Sequence, residues 1–123
     1  MLRVTDVHLE RLMYLRDVVL PHVEAMAQQG RVDFDTFASE CGTYQCLAGW
    51  AALDPAFIRQ GFQLRGGRYI RPVFEGYSDL EAVAEFFGLD SGEVKCLFGP
   101  NYHGDLAKRK LFLNCIIDAR TGV

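Results

Sequence analysis

Phe62-Gln63-Leu64-Arg65-Gly66-Gly67-Arg68-Tyr69-Ile70-Arg71-Pro72-Val73-Phe74 is the stretch whose spacing departs from helical periodicity. Two short runs of apolar, aromatic and arginine residues flank a Gly-Gly pair, and such a pair accommodates the positive φ of a two-residue hairpin loop. Pairing Arg65 with Arg68 across that loop predicts Leu64 facing Tyr69 and Phe62 opposite Arg71. Phe62, Leu64, Tyr69 and Val73 would then share the inner face. Pro72 has no N–H to give to a ladder, so its strand is expected to be an edge at that point. Arg65, Arg68 and Arg71 beside Tyr69 make the hairpin the leading candidate contact surface. Arginine next to an aromatic suits phosphate contact with base stacking, or an acidic patch on a protein. Arginines on an exposed edge strand also simply block sheet-to-sheet aggregation.

On the N-terminal side, Leu12, Leu15, Val19, Val23 and Met26 recur at spacings of three and four, which predicts a helix from Thr5 to about Gln29 that stops at Gly30. Pro21 falls inside it, and a kink or break is expected near Val19–Leu20. Residues 44 to about 53 read as a helix capped by Thr43, and Pro55 opens a short helix reaching about Gln60. On the C-terminal side, Ser78-Asp79-Leu80-Glu81 fits a capping box. That helix carries Leu80, Val83, Ala84 and Phe87 inward and ends at Gly88. Asp90-Ser91-Gly92-Glu93 is a weaker cap of the same kind, opening a helix through Phe98. A last helix, from Asp105 to about Ala119, is expected to expose Lys108, Arg109 and Lys110 and to bury Leu106, Leu113, Ile116 and Ile117.

The fold class expected is therefore mostly α, an α+β domain with one small β-hairpin in a compact bundle of roughly five or six helices. At 123 residues, 50% of them hydrophobic and 24% charged, one domain over residues 1–123 can bury a full core and lies outside disordered compositions. No apolar run approaches the ~20 residues of a membrane span. Asp6, Glu10 and Asp17 interrupt the N-terminus in a way a secretory signal does not. A net charge of −3 is too small for a nucleic-acid mimic or a nucleic-acid coat. A cytoplasmic protein with no membrane partner, monomeric or homodimeric, is expected.

Glu40-Cys41-Gly42-Thr43-Tyr44-Gln45-Cys46-Leu47-Ala48-Gly49-Trp50-Ala51 is the most information-rich motif. Structurally, Gly42 permits a tight entry turn, Thr43 caps, Gly49 lets a backbone approach, and Trp50 anchors the core with its N–H on a carbonyl. Thr43 as N-cap puts Cys46 at the third helical position, where free amides lower a thiol's pKa. Cys41 and Cys46 then read as packed residues, as a reversible disulfide, or as half of a zinc site. Cys96 and Cys115 lie in helical apolar patterns and are expected in the core. Asp33, Asp35 and Glu40 are explained by turns and caps, and His103 with Asp105 lacks a nucleophile at any suitable spacing. Nucleotide, zinc-protease and hydrolase motifs are absent, and the protein is expected not to be an enzyme.

The run Cys-Gly-Thr-x-x-Cys-x-Ala-Gly-Trp-Ala at 41–51, Pro55-Ala56-Phe57-Ile58-Arg59-Gln60-Gly61-Phe62, Ala84-Glu85-Phe86-Phe87-Gly88-Leu89 and Leu97-Phe98-Gly99-Pro100 resemble a group of small uncharacterised phage, prophage and bacterial proteins. The resemblance covers about residues 31–101. It implies a phage accessory protein in a bacterial host cell and brings no catalytic residue. The expected function is a non-enzymatic protein that binds a host protein or protein–nucleic acid complex through Arg65, Arg68, Tyr69, Arg71, Lys108 and Arg109, inhibiting a defence system in the manner of an anti-CRISPR, or a regulatory machine. The alternatives are a thiol-based zinc or redox protein using Cys41 and Cys46, and a nucleic-acid-binding module using the basic hairpin.

Overall fold

A computed structural model describes residues 6–32, 46–66, 70–99 and 105–122. The N-terminal periodicity produces one continuous rod made of α1 (Val7–Tyr14), a π-helical turn (Leu15–Val19) and α2 (Leu20–Gln28). Asp6 caps it, accepting from the amides of His8 and Leu9. Pro21 explains the π turn. In an α-helix its ring would collide with the carbonyl four residues back; here the turn widens, and the Leu20 N–H donates to Leu15 O, five residues back. The proline widens the rod instead of breaking it.

Two short helices follow, α3 (Leu47–Ala51) and α4 (Pro55–Arg59). Asp54 caps α4 through the Ala56 amide at 2.9 Å and also accepts from the Tyr14 hydroxyl at 2.9 Å, fastening α4 to the rod. The sheet comprises β1 (Gln63–Arg65), β2 (Arg71–Phe74) and β3 (Tyr77–Ser78), antiparallel in that order. Its register corrects the hairpin expectation, since Arg65 pairs with Arg71, Leu64 with Pro72 and Gln63 with Val73. The connection between β1 and β2 is thus longer than Gly66-Gly67. Pro72 and Phe74 turn inward and Val73 does not. The tight turn lies between β2 and β3 instead. Glu75 and Gly76 have φ of 49° and 87°, both left-handed as a type I′ turn demands. Pro72, unable to donate, marks where β3 stops pairing with β2.

Three more helices complete the described chain: α5 (Asp79–Phe87), α6 (Ser91–Phe98) and α7 (Leu106–Thr121). The box expected at Ser78 does not form, because Ser78 is paired with Val73 in the sheet and makes no side-chain cap bond. The weaker-looking box does form: Asp90 accepts from the Glu93 amide at 2.8 Å, and Glu93 Oε1 accepts from the Asp90 amide at 3.0 Å. The result is a mostly α, α+β domain with, among the described residues, six helices, counting the rod as one, and a three-stranded sheet.

The buried residues form one cluster with an aromatic centre. Phe62 stacks on Phe86 at 4.5 Å, Phe57 meets Phe86 edge-on at 5.0 Å, and Phe87 stacks on Phe98 at 5.3 Å. The sheet packs on α5, and α7 packs on α6, α1 and the π turn. Leu12, Leu15, Val19, Leu47, Trp50, Phe62, Val83, Phe87, Leu97, Phe98, Leu113 and Ile116 are buried as their patterns predict, while Leu64 is only partly so. The core also takes in Phe57, Phe74 and Phe86.

Candidate partner-binding face

The register that displaces Val73 also builds a surface. Residues directly opposite in an antiparallel pair share a face, and alternate residues along a strand return to it. Gln63, Arg65, Arg71 and Val73 therefore lie on the same side of the sheet, away from the Phe74 face, with Arg65 and Arg71 directly across from each other. Arg65 is exposed and Arg71 half-buried. They line a depression of about 440 Å³ whose other walls include Glu75, Tyr77 and Ser78. Tyr77 is 42% exposed at its rim. Like charges directly opposite are unfavourable to one another, and the pair concentrates positive charge on this side of the sheet.

The strand-to-helix junction adjoins this face. Asp79 follows Ser78 with a left-handed φ of 58°, and its Oδ1 is buried without a hydrogen-bond partner. Both features carry a free-energy cost, of about 1–3 kcal/mol each. Tyr77 and the Glu75-Gly76 turn escaped the sequence reading. Their signal was present in two aromatics, Phe74 and Tyr77, flanking a two-residue loop that ends in glycine.

The other proposed contact residues are placed differently. Arg68 and Tyr69 lie outside the described residues. Lys108 is exposed on α7, the helix that packs against α6, α1 and the π turn, whereas the arginine pair sits on the sheet that packs on α5. Arg109, expected on the surface, is 1% exposed. Its guanidinium donates to Gly99 O at 2.6 Å and Leu97 O at 3.2 Å, two carbonyls at the end of α6 that have no partner within that helix. Helix C-termini attract cations, and Arg109 is drawn inward to fill that role. Two other arginines act alike at α5, where Arg11 donates to Phe86 O at 2.8 Å and Arg120 to Gly88 O at 2.6 Å.

The cysteine motif also changes character. Cys41, Gly42 and Thr43 lie outside the described residues. Helix α3 begins at Leu47, so Cys46 stands at the N-cap and not at the third helical position, and it is 1% exposed. Burial pushes its thiol up to about 11, against the opposing pull of the Ala48 and Gly49 amides. Such a thiol supplies little thiolate for metal or redox chemistry at neutral pH. Gly49 is buried, and Trp50 is 7% exposed with its Nε1–H donating to Arg31 O at 3.0 Å. Cys96 and Cys115, expected in the core, are exposed. On α7 the inward positions belong to Arg109, Leu113, Ile116 and Ile117, which turns Cys115 outward.

Among the described residues no three His, Cys, Asp or Glu side chains converge as metal ligands, and no helix is long and apolar enough to cross a membrane. Asp33, Asp35, Glu40 and His103 fall outside them. No protein-family model, curated protein or solved structure matches the chain.

Proposed function

We propose that this protein is a non-enzymatic binding protein whose outward sheet face receives an acidic segment of a partner protein. The carrying observation is the cross-strand pair Arg65 and Arg71 on that face. Two guanidinium groups side by side on one sheet suit carboxylates, which guanidinium binds in fork geometry. A protein is favoured over nucleic acid because Glu75 shares the depression and the chain carries a net charge of −3. Nucleic-acid affinity instead grows with the number of phosphates neutralised. The phage context implied by the CGTxxCxAGWA resemblance makes a bacterial host protein the partner class and inhibition of a host system the expected outcome.

The test is affinity capture from nuclease-treated bacterial lysate with wild type and with Arg65→Glu, a substitution at an exposed position. A stoichiometric protein captured by wild type and lost with the variant is expected. Equal capture by both, or capture that nuclease treatment abolishes, overturns the reading.

A further inference from the structure

We infer that the outward face of α7 is a homodimer interface, on which the α7 helices of two copies pair antiparallel about a two-fold axis. Arg109, Leu113, Ile116 and Ile117 occupy the inward side of α7. The opposite side carries Ala107, Leu111, Cys115 and Ala119, all exposed and spaced by four. Leu111 is 67% exposed, more than any other large hydrophobic residue described. Residues four apart form a continuous ridge along a helix, about 18 Å long here at 1.5 Å per residue.

A second copy is the occupant this face fits, because its chemistry is self-complementary. Antiparallel pairing centred on the level of Leu113 sets Ala107 level with the other copy's Ala119, and Leu111 level with Cys115. It also sets Lys108 level with Asp118, at both ends of the contact. Both of these charged residues are exposed. The alanines permit close approach, the leucine covers a thiol, and the ends bring opposite charges together. Each contact occurs twice, as a two-fold interface requires. The neighbouring charges are compatible. Lys110 is engaged by Glu24 at 3.6 Å on the flank, and Arg16, near enough to Asp118 to feel its charge, is held by Asp17 at 2.7 Å. One ridge of this length belongs to the small-interface class, dissociating at ~micromolar concentrations.

Sedimentation equilibrium on the full chain across that range tests the inference. A concentration-dependent dimer is expected, weakened at least about 30-fold by Leu111→Asp. Lys108→Asp and Asp118→Lys should each weaken it by about 10-fold, and the double exchange should recover most of the loss. A second readout needs no variant: alkylation of Cys115 should slow as protein concentration rises, while that of Cys96, exposed on α6, stays constant. A chain that remains monomeric throughout overturns the proposal, even where Leu111 captures some other protein. So does a dimer indifferent to Leu111→Asp. A double exchange that fails to recover association overturns the antiparallel register.

Discussion

Arginine plays two opposite parts in this molecule. At the C-terminal ends of α5 and α6, Arg11, Arg109 and Arg120 donate to backbone carbonyls that no helical amide reaches. On the sheet, Arg65 and Arg71 face one another across two strands on the outward side. The first group satisfies charge by direct bonds to the protein itself, and its members stabilise the fold. The second sets cation beside cation on the outward side of the sheet, where the pair raises the local attraction for an anionic group.

The largest test of this contrast is Arg109→Met, which removes the donor and leaves Gly99 and Leu97 carbonyls buried without it. Chemical denaturation should show a loss of about 3–5 kcal/mol, and a loss under 1 kcal/mol would contradict the capping role. Next is Gly88→Ala, at the α5 end that Arg120 secures. Gly88 has φ of 68°, and an added Cβ would lie 2.6 Å from His8 Cγ and 2.9 Å from its Cβ. Left-handed backbone and overpacking together should cost about 2–4 kcal/mol.

The two capping boxes sharpen the comparison at the opposite helix ends. Asp90→Ala should lower stability by about 1 kcal/mol, whereas Ser78→Ala, which deletes no side-chain cap bond, should stay within about 0.5 kcal/mol. Smallest of all is Arg65→Ala, expected within about 0.5 kcal/mol of wild type in stability while partner capture falls. A marked destabilisation would assign Arg65 to the first group of arginines.

Much of the helical framework was legible from periodicity and caps. Leu12, Leu15 and Val19 marked the rod, Pro55 the start of α4, and Gly88 the end of α5. The misreadings share a cause in competition between local and long-range demands. Ser78-x-x-Glu81 is a sound local box, but the sheet claims the Ser78 backbone for pairing with Val73. Gly66-Gly67 is a sound local turn, yet the tight turn falls at Glu75-Gly76, where Phe74 can enter the aromatic core. Arg109 looked like part of a solvated basic run because its partners, the carbonyls of Leu97 and Gly99, belong to another helix. The candidate site was legible in its residue types, Arg65 and Arg71, but not in its pairing. Register depends on the core that Phe62, Phe74 and Phe86 build together.

The closure of α5 by Arg11 and Arg120 also bears on the order of events in folding. These bonds span 75 and 32 residues of chain, so each must await a loop whose entropy is set against a single contact. The Asp90–Glu93 box, spanning 3 residues, can close as soon as its segment turns helical. The clamp on α5 therefore belongs on the native side of the folding barrier. Loss of Arg11 or Arg120 should raise the unfolding rate and leave the folding rate nearly untouched, making these two side chains determinants of how long the folded molecule persists.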